Sequence, residues 1–235
     1  MKTVAIAMLI FLGMATLSGG QIVVQKVQGD VQLRQGVTEV WHRVAPGDIL
    51  KPDDTMKTGP KGTAVILVPA ASPQKSSKRV TLPPDVMVDI SDVRELSQEE
   101  LMLKLAMEKV RSSSYQPTND GLNIPNASVV HGTNKSGETA LPENEIAVGI
   151  LQLNGTRVLF ENGFYPTCAL KAMEVFRLFP ALGERFGNRL LVAEALERAR
   201  LKGEALNEYG AMLKLSGLTP AQESLLHERM GQLRK

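Results

Sequence analysis

The sequence predicts an α+β protein: a small all-β module in the first part of the chain, then a region of α-helical hairpins. Upstream of Ile90, short apolar runs are broken every few residues by Gly, Pro or Asp, which is the patterning of strands and tight turns. Downstream of Pro142, apolar residues recur at the three- and four-residue spacing of amphipathic helices. Between the two, Ser112–Asn144 is rich in Ser, Asn, Gly and Pro, a linker composition. The expected boundaries are a signal peptide at 1–20, a β domain at 21–92, a helix at 93–111, a linker with a short strand at 112–144, and a helical repeat domain at 145–235.

Composition narrows the function classes. A chain of 235 residues can hold two small domains, and 43% apolar with 22% charged residues is ordinary for a globular protein. A formal net charge of +2 gives no electrostatic case for nucleic acid, and 4% aromatic residues gives little for base stacking. One cysteine, Cys168, excludes an intramolecular disulfide.

At the N-terminus, Lys2 is followed by the apolar stretch Thr3–Leu17 and the small residues Ser18-Gly19-Gly20. The stretch is short against the roughly 20 residues of a membrane span and fits a signal peptide cleaved before Gln21. No integral span is expected after cleavage. An exported chain without disulfides suits a bacterial periplasm, or secretion, better than a disulfide-stapled extracellular module.

The β module reads as a series of short strands. Gln21–Arg34 alternates through Val27, Val31 and Leu33, with Gly29-Asp30 as a turn or bulge. Val40, Trp41 and Val44 precede Pro46-Gly47-Asp48, and Ile49-Leu50 is a brief apolar step before Lys51-Pro52-Asp53-Asp54. Thr58-Gly59-Pro60-Lys61-Gly62 leads into Thr63–Val68, a β-branched run that reads as a buried strand. Ser72–Lys78 is a polar loop, and Arg79–Leu82 and Val86–Ile90 are further strands around Pro83-Pro84-Asp85. The pattern indicates a small barrel or sandwich.

The series Gly29-Asp30-Val31, Trp41, Val44, Gly47-Asp48, Leu50, Asp54, Thr58-Gly59, Gly62, Ala64, Ile66 and Val68 resembles a FecR-type domain, an extracytoplasmic β-module of bacterial envelopes. The resemblance covers Val23–Ile90 and departs from the family at Val68-Pro69-Ala70-Ala71, where a polar turn is usual. Signalling members place an anti-sigma region before a membrane span. Here two residues precede the apolar stretch, so that role is not expected. Asp48, Asp53 and Asp54 fall within seven residues and offer oxygen ligands of the kind calcium takes. They match no EF-hand loop and sit beside Gly, Pro or each other, so turn stabilisation is the favoured role.

Ser97-Gln98-Glu99-Glu100 is a capping box opening a helix over Leu101–Arg111, with Leu101, Leu105 and Val110 on its apolar face beside Met102 and Ala106. In the linker, Ala127–Thr133 is a β-like island similar to the Val-x-Gly-Thr strand of some FecR-type proteins, with His131 at the usual Arg position. Glu143–Glu161 carries two signals. Ile146, Ile150 and Leu153 fit a helix, whereas Asn154-Gly155 between apolar runs is a strong hairpin signal. The helical segments that follow need a packing partner, which favours helix. These segments are Pro166–Phe179, Asn188–Lys202, Glu204–Leu215 and a last helix opened by Thr219-Pro220 and ending near Leu233.

Ala172-x-x-x-Phe176 recurs 33 residues later as Ala205-x-x-x-Tyr209. A small residue where two helices approach, with an aromatic one turn on, is similar to tetratricopeptide repeats. About two repeats span Ile146–Leu233, without the first-helix Trp and Gly-x-x-Tyr signature.

No catalytic constellation is legible. Cys168, His42, His131 and His227 are the candidate nucleophile and bases, but no two His stand at metal-ligand spacing and there is no Cys pair. Cys168 reads as a small buried residue at a helix contact, and His42 as solvent-facing. No catalytic residue, cofactor or metal is assigned. The expected function is that of a non-catalytic exported binding or scaffold protein. Its helical repeats would take a protein partner, and its β-module an envelope component. The binding surface is expected on the helical part, or on Thr63–Val68 if that strand has an open edge. A FecR-type regulator at the membrane is the alternative, and an envelope enzyme stands behind it.

Overall fold

The computed structural model describes residues 20–70, 76–113 and 143–235. The apolar leader, residues 71–75 of the polar loop, and most of the linker with its Ala127–Thr133 island and His131 lie outside the described residues. The fold is mixed α+β. Two four-stranded antiparallel sheets are followed by seven helices among the described residues.

The strands are β1 Ile22–Gln28, β2 Val31–Arg34, β3 Trp41–Arg43, β4 Ile49–Leu50, β5 Thr55–Thr58, β6 Thr63–Val68, β7 Lys78–Leu82 and β8 Met87–Asp89. One sheet has the order β4-β1-β6-β7 and the other β3-β2-β5-β8. Period two puts Ala64, Ile66 and Val68 of β6 inside and leaves Thr63, Val65 and Leu67 half-buried. Because β6 lies between β1 and β7, it has no open edge to offer a partner.

The turn residues have structural reasons. Gly29 adopts φ +71, and a side chain there would overlap the Lys61 carbonyl. Gly62 in turn faces the Asp30 carbonyl too closely for a Cβ, so the two turns interlock. Thr58, fully buried, donates to the Pro83 carbonyl at 2.7 Å and accepts from Val86 N–H at 3.0 Å. Its hydroxyl thereby ties β5 to the Pro83-Pro84-Asp85 turn.

The helices are α1 Gln98–Ser113, α2 Glu143–Glu161, α3 Tyr165–Leu178, α4 Pro180–Gly183, α5 Phe186–Arg198, α6 Lys202–Met212 and α7 Pro220–Leu233. A 3-10 turn, Ile90–Asp92, joins β8 to the segment before α1. The short α4 is an addition to the helices expected from sequence: Pro180 cannot continue the hydrogen bonding of α3 and starts a new turn. At the start of α1, Ser97 Oγ accepts from Glu100 N–H at 3.1 Å, but the Glu100 carboxylate turns to Arg94 instead of completing the capping box. The inward stripe of α1 is Leu101, Leu105 and Glu108, whereas Met102, Ala106 and Val110 are exposed. The stripe shifts because Glu108 forms a 2.6 Å ion pair with Arg177 of α3.

Helices α2, α3, α5, α6 and α7 pack each on the next. The small residues Ala172 and Ala205 are fully buried. Tyr209 is buried and donates to Glu197 at 2.8 Å. Thr219 and Gln222 form a complete capping box on α7.

Glu143–Glu161 is one continuous helix straight through Asn154-Gly155. Tertiary contact explains it. Helix α2 packs against β8 and β7, one outer strand from each sheet. At Gly155 the helix crosses the Met87 carbonyl so closely that a Cβ would overlap it. Asn154 donates its amide to the Asp85 carbonyl at 2.8 Å, where Asp85 itself sits at φ 56. A single cluster of buried apolar residues runs from Val24 and Ile66 through Val158 and Phe164 to Ala205 and Leu226.

Gly155→Ala is therefore expected to destabilise the protein by about 2 kcal/mol, the cost of forced repacking. Gly203, in the first turn of α6, has nothing within 4 Å of an added Cβ. Gly203→Ala is expected to stabilise by roughly 0.5–1 kcal/mol through helix propensity. Urea midpoints of the two variants check this, and equal shifts would remove the close-approach explanation.

Candidate functional site

A cleft of about 820 Å³ opens at one end of the β4-β1-β6-β7 sheet, beside the helices. It is formed where β1 begins, β4 ends, β6 ends and β7 begins, and the 3-10 turn and Phe164 close it from the other side. Its floor is apolar: Leu50, Val68, Ile90, Val93 and Phe164 line it and are themselves buried by their neighbours. Ile49 stands on its wall, 53% exposed, with Pro52 and Pro69 nearby. The volume lies within the roughly 300–1,000 Å³ of small-molecule sites.

The rim is charged. Lys51, Lys78, Arg94 and Glu95 line it. Arg94 is neutralised by Glu100. Lys78 donates to the Asn162 carbonyl at 2.8 Å and lies 4.3 Å from the centre of the Phe164 ring. Lys78 thus links the first residue of β7 to the turn between α2 and α3.

A second, smaller cavity of about 280 Å³ lies between the 3-10 turn, α1 and α3, and is lined by charge: Asp92, Lys104, Glu108, Arg111, Lys171 and Glu174. Lys171 Nζ reaches Asp89 Oδ2 at 2.7 Å and Glu174 Oε2 at 3.1 Å. Thr55 donates to the other Asp89 oxygen at 2.7 Å and accepts from Arg34 at 3.2 Å. A polar chain thus runs across β2, β5 and β8 to α3. Burial pushes the Asp89 carboxyl up, but the Lys171 charge and the hydrogen bonds from Lys171 and Thr55 outweigh it, and the net shift is downward. Asp92 goes the other way, to about 6, through burial and the neighbouring Asp89 and Glu174 charges, with Lys171 and Lys104 opposing.

The residues singled out by sequence are not assembled into one centre. Asp48 accepts from Ala45 N–H at 2.8 Å and Asp54 from Lys51 N–H at 2.8 Å, each closing a turn. Asp53 is exposed. No group of three or more His, Cys, Asp or Glu among the described residues is placed to hold a metal ion. Cys168 is completely buried, and burial pushes its thiol up to about 12, so it is not a thiolate near neutral pH. His42 on β3 and His227 on α7 are exposed and belong to separate elements. Sequence reasoning missed the cleft, because its lining comes from strand ends far apart in the chain and carries no motif. The one local signal was Val68-Pro69-Ala70, an apolar strand end where a polar turn is usual.

No family model matches the chain. No curated protein and no solved structure matches it either. No helix among the described residues is long and apolar enough to cross a membrane.

Asp92 sets a pH dependence of stability. Its folded pKa lies above the unfolded value of 3.8. The protonated form is favoured by folding, so this contribution is full below about pH 3.8 and is lost as pH rises towards about 6. Asp89 acts oppositely, since its lowered pKa makes a contribution that is lost only as pH falls below the ordinary carboxylate range. Asp92→Asn is expected to flatten the fall in stability between about pH 4 and 6 and to gain on the order of 2 kcal/mol at pH 7. Urea unfolding across that range checks it, and an unchanged slope would remove the assignment.

Proposed function

We propose that this chain is a non-catalytic exported binding or scaffold protein of the bacterial envelope, periplasmic or secreted, and that the apolar cleft is where its β-module takes an envelope component. The observation that carries the reading is the chemistry of the cleft. It has an aliphatic and aromatic floor, and its described lining contains no Ser–His, Cys–His or paired-carboxylate arrangement of the kind covalent or acid–base chemistry uses. The resemblance of Val23–Ile90 to FecR-type modules and the leader-like Thr3–Leu17 support the compartment. The stack α2, α3, α5, α6 and α7, with Ala172 and Ala205 at its helix contacts, supports a tetratricopeptide-like partner-binding role for the helical part.

Affinity capture from an envelope extract tests the reading, run in parallel with the full chain and with Ile49→Arg. Ile49 is half exposed on the cleft wall, so the substitution is expected to change stability by no more than about 0.5 kcal/mol. The expected result is a component retained by the native chain and lost from the variant. Retention of nothing, or equal retention by both, would contradict the cleft as the binding surface.

A further inference from the structure

Taking the cleft as the binding site, we infer that its ligand is a long-chain carboxylate: an apolar chain against Ile22, Ile49, Pro52 and Pro69, above the buried Leu50, Val68, Ile90 and Phe164, its carboxylate at Lys51 and Lys78. The accessible lining is carbon, from Ile22, Ile49, Pro52 and Pro69, so the bound part of the ligand must be one that gains by leaving water, a hydrocarbon. The mouth supplies the complementary charge. An ammonium has three N–H donors. Lys78 spends one on the Asn162 carbonyl, a neutral acceptor that leaves its charge uncompensated. Neither Lys51 nor Lys78 has a carboxylate within ion-pair distance among the described residues, whereas Arg94 is held by Glu100.

Lys51 and Lys78 therefore present positive charge at the mouth, which favours an anionic headgroup. Two lysines instead of an arginine fork also favour a compact monoanion over a phosphate gripped in bidentate fashion. Lys78 ties the ligand to both parts of the molecule. Its stem belongs to β7, while its ammonium lies against Phe164 and the α2–α3 turn.

Displacement of a fluorescent acyl probe from the purified full chain provides the test, with dodecanoate, dodecanol, dodecyltrimethylammonium and dodecyl phosphate as competitors. Dodecanoate is expected to displace the probe best, with dodecanol and dodecyltrimethylammonium about tenfold weaker or worse. Lys51→Glu should weaken dodecanoate by about tenfold while leaving dodecanol nearly unchanged, and Ile49→Arg should abolish saturable binding of both. Thermal melts of these two exposed positions establish that the variants are folded. Equal binding of all four headgroups, preference for the phosphate, or dodecanoate binding indifferent to Lys51→Glu would overturn the inference. If dodecanoate fails to bind while Ile49→Arg still loses the captured envelope component, the ligand class falls and the binding role of the cleft stands. If Ile49→Arg affects neither measurement, both fall.

Discussion

The close approach of α2 to β8 at Gly155 is the contact on which the rest of this structure depends. Each sheet ends in a strand with unpaired backbone groups, and such edges invite mispairing unless they are covered. Here β8 and β7, the last strands of the two sheets, both lie under α2. The helix can lie that low only because residue 155 has no side chain to meet the Met87 carbonyl. Once it does, Asn154 reaches Asp85, Lys78 reaches Asn162, and Lys171 reaches Asp89. Phe164, just beyond α2, is then buried against the ends of the strands, a gain of roughly 1.5–3 kcal/mol for a side chain of that size. The polar contacts fix the register of this seam, and apolar burial supplies the larger share of its stability.

The seam also explains why the cleft exists. Neither the strand ends nor the helices alone would enclose it: Leu50 and Val68 come from the β4-β1-β6-β7 sheet, Phe164 from the start of α3. A ligand seated there would touch both parts, so its occupancy would stabilise the seam by mass action. Lys171, with carboxylates of both the β8 segment and α3 around it, is held protonated although burial alone would lower its pKa.

Local chemistry in the sequence accounts for most of the elements. Strand alternation, Pro at helix starts, and the Thr219–Gln222 capping box are interactions within a few residues, and the structure follows them closely. Where local and tertiary signals conflicted, the tertiary contact won. Asn154-Gly155 has hairpin chemistry but is helical, because Gly155 is needed for close packing and not for a turn. The inward face of α1 moved from Val110 to Glu108 because Arg177, 69 residues further on, supplies a partner for a buried carboxylate. The turn roles of Asp48 and Asp54 were legible because the backbone N–H groups that donate to them lie three residues away. The cleft was not, since its lining is drawn from positions between 20 and 164 and no spacing rule connects them.

If the α2 seam makes the sheets and helices one cooperative unit, unfolding must be common to both. The chain offers a clean pair of probes. Trp41, its single tryptophan, lies on β3 at the far edge of one sheet, between Arg34 and Lys57. Far-ultraviolet dichroism is dominated by the helices. Equilibrium urea unfolding followed by Trp41 fluorescence and by helix dichroism is predicted to give coincident curves with one midpoint and one slope. Two separated midpoints, with helices melting while the Trp41 signal stays native or the reverse, would contradict the account.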